Sequence, residues 1–180
     1  MDIYKEKFTS LQREIINLLF VYPEKQFNQR QLAKKLGVSP TAIAKSLQFL
    51  VDEELIISDK DKETKRTIVK LNRDNLAIRG LKRAENLRLI YESGLSNFLS
   101  SNFALATIIL FGSYSLGEDI SNSDIDIAIE AKEKKLDLSK FEGMLKKRIN
   151  LEFIDFKKIS RELKDSLING IVLNGYISIN

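Results

Sequence analysis

The chain predicts an α+β protein built from two small domains with a helical connector between them, and three observations carry that expectation. Residues 1–72 show three helix-period patterns followed by two β-branched runs about a charged loop. Residues 104–180 hold short apolar runs, at 106–111 and 124–129, on either side of a turn of small residues. Residues 73–103 repeat large apolar side chains at helical spacing through a polar background. With 180 residues, 43% of them hydrophobic and 30% charged, two small cores fit better than one large one.

The first helix is expected to start near Thr9, which forms a capping box with Gln12, to bury Leu11, Ile15, Leu18 and Leu19, and to stop by Pro23. A short second helix opens at residues 28–31, buries Leu32 and Leu36, and ends at Gly37. Ser39 caps a third helix with Pro40 in its first turn and Ile43, Leu47, Leu50 and Val51 facing inward. Thr41, Ala42, Lys45, Ser46 and Gln48 are left as its outward positions. Residues 55–58 and 66–71 then read as two strands of a hairpin around the charged loop 59–65.

Three helices with the tight turn Gly37-Val38-Ser39 and a cationic hairpin resemble a winged helix-turn-helix, especially that of archaeal and bacterial regulators. The resemblance implies double-stranded DNA as a partner, with Thr41, Lys45 and Gln48 reaching base edges or phosphates from the third helix. Lys60, Lys62, Lys65 and Arg66 of the wing would hold the backbone. Such proteins pair to match two half-sites, so a homodimer is one expected assembly. The charge balance agrees with a polyanionic partner: residues 1–80 carry 15 Lys and Arg against 11 Asp and Glu, whereas 81–180 carry 14 of each. A small helical module for protein contact is the competing reading of the same pattern.

In the connector, Leu76, Leu81, Leu87, Ile90, Leu95, Phe98 and Leu99 predict one or two amphipathic helices. Beyond it, Ser139 and Glu142 suggest a capping box for a helix ending in Lys146, Lys147 and Arg148, cations expected to complement its dipole, with a place near a bound nucleotide as the alternative. Ser160 is expected to cap a last helix through Leu163, Leu167 and Ile168. Asn174-Gly175 predicts a hairpin turn between two terminal runs, or a frayed end.

The densest chemical signal lies at 112–126, Gly-Ser-Tyr-Ser-Leu-Gly-Glu-Asp-Ile-Ser-Asn-Ser-Asp-Ile-Asp. An apolar strand at 106–111 would end at the Gly112-Ser113 turn, and a strand at 124–129 would send Asp124 and Asp126 to one face and Ile125 and Ile127 to the other. Two carboxylates so close repel, and a hard divalent cation removes that cost. Magnesium, held by a couple of carboxylates and by substrate phosphate oxygens, suits the pattern, and manganese would take the same ligands. The chain has no cysteine and no histidine, so thiolate, soft-metal and imidazole chemistry are excluded.

These residues resemble the signature of the DNA polymerase β-like nucleotidyltransferases, most closely the minimal nucleotidyltransferase branch. The resemblance implies that the Gly112-Ser113 turn opens a helix whose backbone N–H groups hold the phosphates of ATP or another nucleoside triphosphate. It implies that Asp124 and Asp126 hold the metal and that Ser123 belongs to the same site. The family takes a third carboxylate from a later strand, here within 149–156. Strand parity puts Asn150, Glu152 and Ile154 on one face and Leu151, Phe153 and Asp155 on the other. Glu152 also aligns best with the family pattern, where aspartate is commoner. Asp155, or a site with only two working acids, stays open. The expected activity is transfer of a nucleoside monophosphate, AMP from ATP, with Asp124, Asp126 and Glu152 catalytic. The alternative is a winged-helix regulator that senses nucleotide without turnover.

The acceptor is not named by any residue. Relatives serve as partners of small helical toxin-like ribonucleases, and some adenylylate a tyrosine on that partner. The sequence has no apolar run of membrane-spanning length and no signal-peptide pattern, so no membrane partner and a cytoplasmic location are expected.

Overall fold

A computed structural model describes residues 7–60 and 66–177. The chain divides into two compact units, Met1–Ile78 and Arg79–Asn180.

The first unit runs α1 (Ser10–Val21), β1 (Phe27–Asn28), α2 (Gln29–Leu36), α3 (Pro40–Asp52), β2 (Ile56–Lys60) and β3 (Thr67–Leu71). Each helix starts where a side chain can satisfy its free N–H groups. Thr9 and Gln12 form a reciprocal capping box, Asn28 and Gln31 form a second, and the Ser39 hydroxyl accepts from the Ala42 N–H at 3.2 Å ahead of Pro40. Gly37 closes α2 at φ +68°, the left-handed cap that glycine takes without penalty. Ile15, Leu19, Leu32, Ile43, Leu47, Leu50, Ile56, Val69 and Leu71 make one core. The antiparallel sheet has the order β1-β3-β2, so the hairpin expected from sequence gains a third, two-residue strand. Phe27 pairs with Val69 there, in a segment too short to show a period of its own. This is the winged-helix arrangement. One residue departs from expectation: Ser46 is buried, at 8% exposure, rather than outward. On α3 it follows Ile43 by three residues and so falls on the same stripe.

The second unit contains α4 (Leu76–Glu92, which begins in the first unit), α5 (Leu95–Asn102), β4 (Ile108–Phe111), α6 (Gly112–Leu116), β5 (Ile125–Ile129), α7 (Ser139–Leu145), β6 (Ile149–Phe153), α8 (Arg161–Ile168) and β7 (Ile171–Asn174). The sheet order is β6-β5-β4-β7, with β5 and β6 parallel and the other neighbours antiparallel. β4 is central and covered on both faces, which is why it reads as unbroken apolar sequence. One face packs Ile108, Leu110, Ile125, Ile127 and Ile149 on Ile90, Leu95, Leu99 and Phe141. The other packs Ile109, Phe111, Ala128 and Ile154 under Leu167 and Leu163 of α8.

Two expectations for this unit are corrected. Leu76 and Leu81 are exposed, at 76% and 36%, and the inward line of α4 is Ile78, Lys82, Asn86 and Ile90. Two of those four are polar, so a search for an apolar stripe misplaces the face. Ser139 does not cap α7: Leu138 precedes the helix, Ser139 donates to Asp137 at 2.6 Å, and Glu142 instead accepts the Ile149 N–H at 3.0 Å. Of the two terminal runs, the first forms β7, which pairs with β4; Gly175 turns the chain after it at φ +74°, and the second run, 176–179, lies partly outside the described residues.

Candidate functional site

Strand β4 delivers Gly112 to the edge of β5. In the register Phe111 lies opposite Asp126, and the next residue turns into α6. Gly112 has φ +69°, and a Cβ placed there would meet Asp126 Oδ2 at 2.8 Å. Only a glycine lets the turn approach the carboxylate so closely. Ser113 follows, half-buried, while the Ser115 hydroxyl donates to the Gly112 carbonyl at 2.8 Å and stiffens the turn.

Asp124 is exposed at the entrance to β5, and Asp126 is half-buried within it. Alternation places both on the face beneath α8, away from buried Ile125 and Ile127. On neighbouring β6, Asn150 is the register partner of Asp126 and Glu152 that of Ala128. Asn150 Nδ2 donates to Asp126 Oδ1 at 3.2 Å. Glu152 therefore shares the face of the aspartates but sits one two-residue step further along, on the side away from Asp124. Among the described residues no group of three carboxylates comes together as a metal cage. Leu151 and Phe153 pack into the opposite core, as their parity predicts. Asp155 lies beyond the strand in a turn, where the Lys157 N–H and then the Lys158 ammonium hold its carboxyl below the usual range.

A buried polar cluster fixes the loop that connects the turn to the aspartates. Asp119 is 2% exposed, and its Oδ1 meets Lys82 Nζ at 2.8 Å and Asn86 Nδ2 at 2.8 Å, while its Oδ2 meets Lys147 Nζ at 3.2 Å. Lys82 also donates to the Asp119 carbonyl, and Asn86 to that of Tyr114 at 2.9 Å. Lys147 reaches the carbonyls of Ile120 at 2.6 Å and Ser123 at 3.2 Å. Ser123 Oγ accepts the Ile120 N–H at 2.9 Å, so this serine shapes the loop as well as preceding Asp124. Gly117 lets the loop touch α4, since a Cβ there would lie 2.4 Å from the Arg79 carbonyl. Burial pushes the Tyr114 phenol well above its ordinary pKa. Sequence reading missed Asn150 and this cluster. The available signal was the four-residue spacing of Ile78, Lys82, Asn86 and Ile90, which aligns two polar side chains with two apolar ones.

In the first unit Thr41, Lys45 and Gln48 are exposed on α3, with Gln48 Nε2 donating to Asp52 at 2.8 Å. Lys60 is exposed at the end of β2, and Arg66 just before β3. Lys62 and Lys65 lie outside the described residues.

Residues 94–177 match the family model described as Polymerase beta, Nucleotidyltransferase. That stretch contains Gly112, Ser113, Ser123, Asp124, Asp126 and Glu152. No curated protein matches the chain. Among solved structures, the adhesin competence repressor AdcR from Streptococcus pyogenes is 23% identical over 54% of this chain and 69% of its own, with a TM-score of 0.40. Lactococcus lactis ZitR, as a C30AH42A mutant, is 27% identical over 55% of this chain and 64% of its own, with a TM-score of 0.39. MepR of S. aureus, in a complex with DNA, is 19% identical over 53% of this chain and 81% of its own, with a TM-score of 0.37. At such scores these likenesses decide nothing, and the winged-helix assignment rests on the element order and pairing described above. Among the described residues no helix is long and apolar enough to cross a membrane.

Proposed function

We propose that the second unit is a divalent-metal-dependent nucleotidyltransferase that moves a nucleoside monophosphate, AMP from ATP, onto an acceptor hydroxyl, and that the first unit holds double-stranded DNA. The observation that carries the enzymatic reading is the close approach of Gly112 to Asp126, within a stretch matching the nucleotidyltransferase model. Backbone N–H groups at the start of α6 and the Ser113 hydroxyl are suited to triphosphate oxygens. Asp124 and Asp126 have the hard oxygen donors that magnesium or manganese requires, and a cation between carboxylates and phosphates would supply charge compensation and lower the pKa of the acceptor hydroxyl. In the transfer, the acceptor hydroxyl gives up its proton to solvent, its oxygen forms a bond to the α-phosphorus, the bond from that phosphorus to the bridging oxygen breaks, and pyrophosphate leaves with the electron pair. The protein supplies position and electrostatics. Glu152 is the third acid in this reading, on the strand face it shares with Asp126.

The pairing of Asn150 with Asp126, where a carboxylate would complete a triad at the same level, favours a second reading. In that reading the unit binds nucleotide without turnover and acts as a sensor for the DNA-binding unit. The deciding experiment incubates the protein with magnesium and each α-labelled nucleoside triphosphate, using whole-cell extract as the source of acceptors and Asp124→Ala as control. Label transferred only by the protein with intact Asp124 supports the enzyme. Asp124-dependent binding of Mg·ATP without transfer supports the sensor, and absence of both sinks the two readings together.

A further inference from the structure

The loop 121–124 and the turn leading into β6 line an open pocket of about 430 Å³, to which Lys146, Lys147 and Arg148 contribute. The three cations are not equivalent. Lys147 is committed to Asp119 and to two loop carbonyls. Lys146 and Arg148 are exposed, and neither has a side-chain partner among the described residues. Lys146 is the C-cap residue of α7, at the negative end of that helix, and Arg148 stands two residues beyond it. Lys146 follows the helix at φ +56°, a left-handed position that glycine fills more easily.

The register places these cations beside the aspartates. Ile125 pairs with Ile149, and the Ile125 N–H donates to the Arg148 carbonyl at 2.8 Å, so Asp124 and Arg148 enter their two strands side by side. Ile149 is buried against the helices of the opposite face. Arg148 thus heads the series Arg148, Asn150, Glu152 that runs along β6 next to Asp124, Asp126 and Ala128. The Gly112-Ser113 turn lies on the other flank, reached from β4. The aspartate pair stands between two edges that attract anions, one of backbone amides and one of unpaired cations lined by Ser121, Asn122 and Ser123.

We propose that the Lys146–Arg148 lip binds a phosphate group of the acceptor, so that the acceptor is itself phosphate-bearing, a free nucleotide or a single-stranded nucleic acid. In the nucleotidyltransferase reading the donor triphosphate is served by the Gly112 edge, which leaves the lip on the other flank for the acceptor. Guanidinium and ammonium groups with small hydroxyl and amide donors are the chemistry that recognises phosphate oxygens. A neutral small-molecule hydroxyl acceptor offers these cations no anion to bind. The word acceptor rests on the nucleotidyltransferase reading, whereas phosphate binding at the lip does not.

The test uses the full chain and two photoreactive probes, 4-thiouridine 5′-monophosphate and an eight-nucleotide single-stranded RNA ending in 4-thiouridine, with cross-linked peptides located by mass spectrometry. The expected result is cross-linking to peptides spanning 121–125 or 146–150. Lys146→Ala combined with Arg148→Ala should lower the yield there by roughly tenfold, the scale of a charge-assisted hydrogen bond, and Arg148→Lys should recover part of it. Which probe reacts identifies the source of the phosphate. Binding of Mg·ATP, measured in parallel, should be unchanged in the double variant and lost in Asp124→Ala. Cross-links confined to α3 and the wing, or an undiminished yield in the double variant, overturn the lip. Loss of Mg·ATP binding in the double variant overturns its assignment to the acceptor and gives it to the donor. Failure of the unsubstituted protein to bind Mg·ATP counts against the nucleotidyltransferase reading alone, because the cross-links still judge the lip.

Discussion

At the scale of single residues, Gly112 does two things that no other residue type does together. It holds a left-handed φ, and it leaves room for the Asp126 carboxylate that a Cβ would displace. Gly112→Ala is expected to destabilise the protein by about 1–2 kcal/mol from the backbone conformation alone and to abolish Asp124-dependent Mg·ATP binding. Urea unfolding beside nucleotide titration checks both, and an alanine variant with normal binding would remove Gly112 from the site. Glu152 permits a sharper test. Glu152→Gln keeps shape and loses charge, so under the enzymatic reading transfer falls by at least about 100-fold, as for loss of one charge-stabilising group, while Mg·ATP binding persists. An unchanged rate would leave two working acids. The alternation of 149–156 could be read from sequence because Leu151 and Phe153 announce the buried face. The Asn150 to Asp126 hydrogen bond could not, since it depends on which residue of β6 stands level with Asp126, and a single strand's pattern carries no inter-strand register.

At the scale of elements, the loop 117–124 is held by ion pairing and hydrogen bonds rather than by apolar packing. Asp119 is enclosed with two lysines whose side chains are 3% and 9% exposed. Removing one partner of a buried pair leaves the other charge uncompensated, at a cost of about 3–5 kcal/mol. Asp119→Ala is expected to lose stability on that scale in urea and to weaken Mg·ATP binding more than Lys60→Ala, which alters only the wing. Tyr114, beneath the same cluster, gives a pH signature. Burial raises its folded-state pKa above its unfolded value of about 10. Its contribution is complete below that unfolded value and is lost as pH rises toward the folded one. Tyr114→Phe should therefore show a shallower alkaline loss of stability than the parent in melts from pH 8 to 11. Helices α1 and α3 were legible from Thr9 and Ser39 because a cap is a local event between a side chain and N–H groups two or three residues on. Ser139 carried an equally good local signal and failed, because Asp137 and the start of β6 offered its two partners better bonds. The polar inward line of α4 was hidden for the same reason: Lys82 and Asn86 are stable inside only because Asp119 arrives from 33 to 37 residues away.

At the scale of the whole molecule, the division after Ile78 assigns each chemistry to its own core. Leu32 and Ile43 belong to the first core, and Ile109 and Leu167 to another that lies wholly within the second unit. Leu32→Ala should cost about 2–5 kcal/mol in the first unit's unfolding and leave Mg·ATP binding intact. Lys45 is exposed on α3, in the first unit. If it touches a DNA phosphate, Lys45→Ala weakens binding to unrelated duplexes about equally and lowers the salt slope of log K by roughly 1. If it reads a base edge, the loss is confined to particular sequences, and the salt slope is unchanged. Asp124→Ala supplies the converse, with nucleotide binding lost and duplex affinity unaltered in the absence of nucleotide. Under the sensor reading, duplex affinity in the parent protein changes when Mg·ATP is added, and Asp124→Ala abolishes that change. A parent protein whose duplex affinity ignores Mg·ATP, but which transfers label from it, has two activities that share a chain without being coupled by nucleotide binding.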